Sequence, residues 1–491
     1  MLTEYHIWDG GRLLNPTQLE YRLPLAPDMP KINSIIVESN DPTGPYGAKE
    51  AGMSVAMSAA QAYVSAICNA IGVPIKEYPI TPDKIVEALE EKKKKASKRA
   101  SHQKKTGGYG SMRALVIGGT GGMGQGVARD LIKQEQIEKV ILGDINTDPG
   151  RVQEKLRASE KISLARIDVN DHAGMVGAIR NADVVINCAG PFYKTAVAVA
   201  GAAVEARVNY IDICDDYEAA ERLFASDIDS AAGEAGITVL TGMGSDPGTN
   251  NVIVKWYADQ LDRVDEIALF WVVSIAELAG AAWDHSLHMT IGKIPQYLDG
   301  KLEYVEGGTG EETAEFLEPL GTCQVRYVGH PQPLTIPRYI KGVKKVVIKG
   351  ALIPSWVDRL IREQKETGFL SKEPLSVKGA NVVPYDLTLQ LWGTIPDNRD
   401  KGPLASGLKV IVKGERGGKQ VTYTADIVGR MAPGTGLPAS IAALMLQAGE
   451  VTVKGVVAPE GCIDPGKFLA ALLQRGAKIH QTERIASMLR P

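Results

Sequence analysis

Between residues 113 and 242 the chain alternates short β-rich runs with stretches that are typical of helices. The runs are RALVIG (113–118), KVILG (139–143), SLARI (163–167), VVIN (184–187), YIDI (210–213) and TVLTG (238–242). Strands that alternate with helices of about 10–15 residues indicate βαβ units and a parallel sheet. Because such crossovers are right-handed, the pattern predicts an α/β fold with a doubly wound parallel sheet.

A glycine motif opens the first of these helices. Gly119, Gly121 and Gly124 fit G-x-G-x-x-G directly after the first strand, which is the context that a Rossmann dinucleotide site requires. The first glycine permits a tight turn, the second lets the backbone approach a pyrophosphate, and the third allows close helix–strand packing. The phosphates then bind at the helix N-terminus. The predicted cofactor loop comprises Gly119, Thr120, Gly121, Gly122, Met123 and Gly124.

Two acidic residues at strand ends are candidates for the adenosine half of the cofactor. Asp144 ends the second strand 20 residues after Gly124 and can accept the ribose hydroxyls. No arginine follows it immediately, so NAD is favoured and NADP is the alternative. Asp168 follows the third strand and can contact the adenine. The competing interpretations are a turn residue for Asp144 and a helix cap for Asp168.

The alternation of short strands and helices ends near Val252, where longer β-rich runs begin. GERGGKQ between two of them predicts a hairpin turn. We therefore predict a second, α+β domain over 252–435. The dinucleotide-binding domain is predicted to span 111–251 and to include the helical stretch of about 436–491. A basic, glycine-ended block over 91–110 predicts a solvated linker behind a small N-terminal module, 1–90.

Composition excludes several classes of function. The net charge of −3 gives no global field for nucleic acid or an anionic membrane, and no apolar run of 18 residues occurs. The five cysteines are scattered and form no C-x-x-C pair, and no residue cluster has metal-ligand spacing. We therefore expect a cytoplasmic protein with no metal, no nucleic-acid partner and no membrane association.

Several segments resemble the saccharopine dehydrogenase-like family: VIGGTGGMGQ (116–125), DVVINCAGPF (183–192), VNYIDICDD (208–216), TGMGSDPGTNN (241–251) and the stretch from Val453 to Gly476. The resemblance implies an NAD(P)-dependent oxidoreductase that transfers hydride at the amine or imine bond of an amino acid, with a lysine-like substrate. It also implies a homodimer in which the second domain, 252–435, binds the substrate and forms the dimer contact. It further implies that Ala189, Gly190 and Pro191 lie beneath the nicotinamide ribose.

The N-terminal 90 residues resemble the C-terminal tail of the molybdopterin-binding subunit of xanthine dehydrogenase-type hydroxylases. In that family the loop G-A-K-x-x-G precedes a catalytic glutamate, but the matching residue here is Met53, which cannot accept a proton. The resemblance implies a gene fusion and a possible molybdenum-hydroxylase subunit as partner. An alternative function is therefore a cofactor-binding regulatory or scaffold protein associated with such a hydroxylase.

Proton transfer needs an acid or base near the nicotinamide, at the C-terminal edge of the sheet. Asp212, Asp215 and Asp216 end the fifth strand there, and at least one is expected to face the substrate, while another caps the next helix. The candidates for catalysis are Asp212, Asp216, His285 and His330, although a solitary histidine is more often structural.

The predicted substrate site lies at the entry to the second domain. Asp246, Gly248 and Asn250 form a rigid turn before a helix start, which suits a substrate carboxylate or serves as a helix cap. Arg338 can form a bidentate pair with a carboxylate, although the commoner place for an arginine is the surface.

Overall fold

We describe a computed structural model that covers residues 111–278, 281–395 and 399–485 together with scattered positions between 8 and 88. The chain divides into two compact units, 1–108 and 109–491. In the first unit, the strands Trp8–Asp9 and Arg12–Leu13 pair antiparallel, and helical residues occur between 62 and 88. Met53 and the basic block 91–110 lie outside the described residues.

The second unit begins with a seven-stranded parallel sheet flanked by helices, which confirms the predicted α/β class. Its strands are β1 (Met112–Ile117), β2 (Ile137–Asp144), β3 (Ile162–Arg166), β4 (Val184–Asn187), β5 (Asn209–Asp212) and β6 (Thr238–Leu240), and a seventh joins from the far end of the chain. Its helices are α1 (Gly122–Leu131), α2 (Glu154–Arg157), α3 (His172–Ile179), α4 (Phe192–Ala206), α5 (Tyr217–Ala225) and α6 (Ile228–Ala235).

A second, mixed sheet of nine strands follows the connecting helix α7 (Thr249–Ala258). It contains β7 (Arg263–Ser274), β8 (Lys293–Leu298), β9 (Lys301–Glu306), β10 (Glu312–Glu315), β11 (Thr322–Tyr327), β12 (Lys345–Ile353), β15 (Ser406–Arg416), β16 (Lys419–Gly429) and β18 (His480–Ile485), while β13 (Leu375–Val377) and β14 (Ala380–Val382) form a separate hairpin. Helices α8 (Ala281–His288), α9 (Gln332–Tyr339), α10 (Ser355–Glu366) and α11 (Pro384–Trp392) belong to this domain.

Alternation along β7 explains why both faces of this sheet are covered. Leu269 and Trp271 belong to one apolar cluster, whereas Phe270 and Val272 belong to another. Successive side chains of a strand point to opposite faces, so a continuous apolar run buries itself on both sides. The predicted hairpin is also present: Arg416 pairs with Lys419 around Gly417 and Gly418, both with positive φ, as a two-residue type I′ turn requires.

The C-terminal part of the chain is shared between the two sheets. Helix α12 (Met431–Gln447) packs on α1, and β17 (Gly455–Val457) extends the parallel sheet beside β6. The short helix α13 (Pro459–Cys462) and α14 (Pro465–Gln474) follow. The last strand, β18, differs from the expectation that 436–491 stays with the first domain, because it pairs with β16 and supplies hydrogen bonds to that edge of the mixed sheet.

Strand order places the cofactor loop at the middle of the parallel sheet. The order is β17-β6-β5-β4-β1-β2-β3, so the direction of winding reverses between β1 and β4. A crevice opens at such a switch point, beyond the carboxyl ends of the strands. Within the described residues, no helix is both long and apolar enough to cross a bilayer.

Candidate active site

One cavity of about 650 Å³ lies at this switch point, between the parallel sheet and the mixed sheet. The first domain contributes the glycine loop, the segment after β4 and the segment after β5. The second domain contributes β7, α8, β15, β16 and the start of α12. Of the predicted residues, the wall includes Thr120, Gly121, Gly122, Met123, Gly190, Pro191, Asp246, His285 and His330.

The glycine loop has the shape that a pyrophosphate needs. A Cβ added at Gly119 would lie 2.7 Å from Leu142 Cα, and one at Gly124 would lie 2.5 Å from Gly118 O, so both glycines are required by backbone packing. At Gly121 a Cβ would meet only Gly118 O, at 3.3 Å, and the position borders the cavity. The first turn of α1 therefore presents open backbone to a ligand, and the loop fits a dinucleotide phosphate.

The predicted adenosine contacts have other partners in the structure. Asp144 Oδ2 accepts hydrogen bonds from Thr120 N (3.2 Å) and Thr120 Oγ1 (2.7 Å), so this carboxylate braces the cofactor loop. Asp168 accepts from Asn170 N at 2.9 Å and does not line the cavity. Arg151, which the sequence did not single out, lies in the cavity wall with Thr120.

The segment after β4 reaches the cavity through Cys188, Gly190, Pro191 and Phe192. Ala189 lies between these positions, but its own N–H donates to Asn187 Oδ1 at 3.0 Å and it is not part of the wall. Burial raises the pKa of the Cys188 thiol, so that residue stays protonated and is no nucleophile.

The acidic residues after β5 divide into structural and cavity-facing groups. Asp212 is buried and accepts from Tyr210 Oη, Thr241 Oγ1 and Gly242 N, so it braces the strand ends instead of facing the cavity. Asp216 caps α5 by accepting from Glu218 N and lies outside the wall. The catalytic interpretation of these two residues therefore has no support in the geometry.

Asp215 is the residue of this group that faces the cavity. Its Oδ2 atom lies 2.9 Å from His285 Nε2, on α8 of the second domain. Burial opposes both charges, but their attraction outweighs it, so the pKa of Asp215 is lowered and that of His285 is raised. Helix-capping preference is the sequence signal that could have singled out Asp215. If Asp216 caps α5, the neighbouring Asp215 is the acidic residue that can face the cavity.

His330 and Asp246 complete the polar end of the cavity. Burial lowers the pKa of His330 to about 4, so its ring is neutral near pH 7. Burial raises the pKa of Asp246 to about 7. Hydrogen bonds that Asn250 and Gln332 donate to its Oδ1 atom lower the pKa but do not outweigh the burial. The other oxygen, Oδ2, is buried and has no partner among the described residues.

Three predicted substrate residues are placed differently. Gly248 has φ +125 and any Cβ there would lie 2.0 Å from Gly244 O, so it shapes the turn behind Asp246. Asn250 holds Asp246 and does not itself line the cavity. Arg338 stacks over Phe224, with its Cζ atom 4.5 Å from the ring centroid, and is not part of the wall, because the face of α9 that carries it packs toward α5.

One group in the described part of the chain has the spacing of a metal site. Ligand atoms of Asp216, Glu218 and His288 lie within 4.8 Å of one another. Lys372 Nζ lies 2.7 Å from His288 Nδ1, however, and its positive charge opposes a second cation. With Asp216 serving as a helix cap, we assign no metal to this group.

Within the unit 109–491, the fold and the glycine loop define a dinucleotide-binding Rossmann domain joined to a domain with a mixed sheet. Residues 114–240 match the family model of the saccharopine dehydrogenase NADP-binding domain, which confirms the resemblance seen in the sequence and the NAD(P) cofactor class. The structure resembles the saccharopine dehydrogenase (L-Glu forming) of Saccharomyces cerevisiae, with a TM-score of 0.59 and 14% identity, over 77% of this chain and 100% of that chain.

Two curated proteins match different parts of the sequence. The carboxynorspermidine synthase of Vibrio alginolyticus is 24% identical over 434 residues, which are 75% of this chain and 97% of that protein. The putative xanthine dehydrogenase molybdenum-binding subunit XdhA of Escherichia coli is 38% identical over 78 residues, 16% of this chain. The chain spans only 10% of the length of that subunit.

Proposed function

We propose that this protein is an NAD(P)-dependent oxidoreductase that acts on the C–N bond of an amine or amino acid. The observation that carries the proposal is the Asp215–His285 pair, 2.9 Å apart, in the same cavity as the glycine loop. A proton-transfer group and a dinucleotide site that share one cavity are what dehydrogenation requires.

The residues of the polar end have distinct tasks in this reaction. When bound, the nicotinamide accepts the hydrogen of the substrate C–H bond together with its two electrons. His285 takes the proton that leaves the substrate nitrogen as the C=N bond forms, and Asp215 stabilises the resulting imidazolium. Water then adds across the C=N bond to give a carbinolamine, and the same histidine returns its proton to the departing nitrogen. As the C–N bond breaks and the carbonyl forms, the now neutral His285 takes the hydroxyl proton and later releases it to solvent. In the reverse direction, protonated His285 donates to the nitrogen of the imine.

Asp246 and His330 support this proton transfer from the adjoining wall. Asp246 Oδ2, which has no partner among the described residues, offers an acceptor for an N–H of the substrate. The neutral His330 adds no positive charge that would repel an ammonium. An amine that exchanges its hydration for this acceptor avoids the cost of an unsatisfied buried donor. The site therefore suits nitrogen at the reacting centre.

The choice between NAD and NADP depends on Asp144 and Arg151. The sequence favoured NAD because a free carboxylate repels a 2′-phosphate. Asp144 is hydrogen-bonded to Thr120 and is not part of the cavity wall, whereas Arg151 lies in that wall and can pair with a phosphate. We therefore propose that NADP(H) is accepted at least as well as NAD(H), which titration of both cofactors measures directly.

Fluorescence titration with NADH and NADPH, followed by turnover assays, tests the proposal. Gly121→Asp puts a carboxylate where the phosphate binds and is expected to weaken cofactor binding at least 100-fold, by about 3 kcal/mol. The control is Gly233→Asp, at an exposed helical glycine where an added Cβ would meet no atom within 4 Å. Equal affinity in both variants contradicts the cofactor site. Tight cofactor binding without turnover of any amine or imine contradicts the enzymatic proposal.

A further inference from the structure

Four apolar side chains from three neighbouring strands form the floor of the cavity. Trp271 and Val273 lie two residues apart on β7, and Leu408 on β15 pairs directly with Trp271 and with Ile427 on β16. Residues two apart on a strand, and direct partners across strands, share one face of a sheet. The strand register therefore places all four side chains together, and all four line the cavity.

The surroundings of this floor are also apolar. Leu278, Ala282 and Met289 close the cavity on the side of α8. Phe192 and Ile213 contribute from the first domain. The polar end with His285 and Asp246 thus adjoins a hydrocarbon wall, so that two chemically different regions share one space.

The charges beside the floor are already neutralised. The nearly buried Glu277 accepts from Arg430 Nε, from Met431 N and from Ser406 Oγ. Asp215 is paired with His285. Among the described residues that line the cavity, the remaining carboxylate is Asp246, which belongs to the polar end. An ammonium group far from the reacting nitrogen would lose its hydration without gaining an anionic partner.

Resting on the proposed function, we propose that the non-reacting part of the substrate is an uncharged hydrocarbon group that lies on this floor. The substrate class is an amine or amino acid with an aliphatic or aromatic body, which departs from the lysine-like substrate that the sequence resemblance implied. One amine end binds at Asp246 and His285, and the body extends over Leu408 and Trp271. Each methylene buried there is worth about fourfold in affinity.

Two pairs of amines that differ only at the distant end test this inference on the full-length protein with NADP⁺ or NAD⁺. L-norleucine and L-lysine share the α-amine, and hexylamine and 1,6-diaminohexane share the terminal amine. We measure kcat/KM by cofactor reduction, and binding to the cofactor complex by quenching of tryptophan fluorescence. In at least one pair, the compound with the uncharged distant end, L-norleucine or hexylamine, is expected to have a kcat/KM and an affinity tenfold or more higher than its partner.

Leu408→Glu supplies the anionic partner that the floor lacks and is expected to reverse the preference toward the charged member. The control is Leu404→Glu, at an exposed position outside the cavity, which leaves the preference unchanged. If the unaltered protein prefers lysine and 1,6-diaminohexane, the inference is overturned and the oxidoreductase proposal stands. If the uncharged amines bind more tightly but none is oxidised, the apolar floor stands and the proposed activity fails.

Discussion

The Asp246 carboxyl lies where the first domain meets the second, with one oxygen held by Asn250 and Gln332 and the other buried without a partner among the described residues. Burial raises its pKa to about 7, whereas the unfolded chain ionises near the ordinary value of 3.8. The free energy of unfolding therefore falls as the pH rises from about 4 to about 7, because over this range the Asp246 carboxyl ionises in the unfolded chain but stays protonated in the folded protein. Each unit of pKa corresponds to about 1.4 kcal/mol, so the loss is at most about 4 kcal/mol.

Asp246→Asn keeps the oxygen that accepts both hydrogen bonds and removes the titration. We expect the variant to be more stable than the unaltered protein at pH 8, by about 1–4 kcal/mol, and similar to it at pH 4.5. Urea unfolding at the two pH values measures the difference. A stability difference that does not change with pH would show that Asp246 is already ionised in the folded protein. The same variant is expected to lose activity, because the buried acceptor is gone.

The pH dependence of amine oxidation belongs to His285, which must be neutral to accept a proton. Burial lowers its pKa, but Asp215, Asp216 and Asp284 together raise it above 6.5. Activity should therefore rise with pH through a value above 6.5. Asp215→Asn removes the largest favourable charge, so the acidic limb of the kcat/KM profile should move to lower pH.

A surface histidine–carboxylate pair with the same N···O distance provides the control for this pH profile. His172 Nε2 lies 2.9 Å from Glu205 Oε2, and both side chains are more than half exposed. Glu205→Gln should leave the profile unchanged, since screened surface pairs contribute little. An acidic limb that stays in place in Asp215→Asn would assign the titration to another group, such as Asp246.

At the scale of elements, the contact between α12 and α1 depends on two glycines. A Cβ at Gly126 would lie 2.4 Å from Ala432 O, and one at Gly436 would lie 2.4 Å from Val127 N. The helices approach so closely that the start of α12 borders the cavity beside the glycine loop. A change that separates α12 from α1 is therefore expected to disturb the cofactor site as well.

Replacing a helical glycine by alanine ordinarily stabilises a helix by about 1 kcal/mol. Gly436→Ala should instead destabilise the protein, because the added Cβ would clash with backbone atoms of α1 that cannot move aside. It should therefore lower the melting temperature and weaken NADPH binding. Gly201→Ala, in α4, should be neutral or stabilising, because an added Cβ there would meet no atom of the described residues within 4 Å. Differential scanning fluorimetry of both variants, with and without NADPH, separates the two cases, and a stabilising Gly436→Ala would contradict the close packing.

Sequence patterns predicted the elements of the first domain because local periodicity and glycine chemistry determine them. All six β-rich runs from 113 to 242 are strands, and Gly121 borders the cavity as the motif requires. Patterns could not predict contacts between distant segments. Nothing local to β18 distinguishes pairing with β16 from packing on the first domain, and nothing near Asp215 announces that α8 brings His285 beside it.

At the scale of the whole molecule, the described residues that line the cavity all lie between Thr120 and Thr435. A protein lacking residues 1–108 is therefore expected to bind NADPH with a dissociation constant within about twofold of the full-length value, as measured by fluorescence titration. A large loss of affinity would instead give the N-terminal unit a role in the site, and an unchanged value would leave it free for another partner.

The elements β17 and α12 lie late in the chain, and this has a consequence for folding during translation. Six strands of the parallel sheet have been synthesised by residue 240, yet the seventh does not leave the ribosome until residue 457 has been added. Until then, β6 is an open edge and α1 lacks its neighbour, so apolar surface stays exposed throughout translation of the second domain. The growing polypeptide should therefore depend on chaperones while residues 241–457 are synthesised, and a truncated product that ends before residue 431 should aggregate.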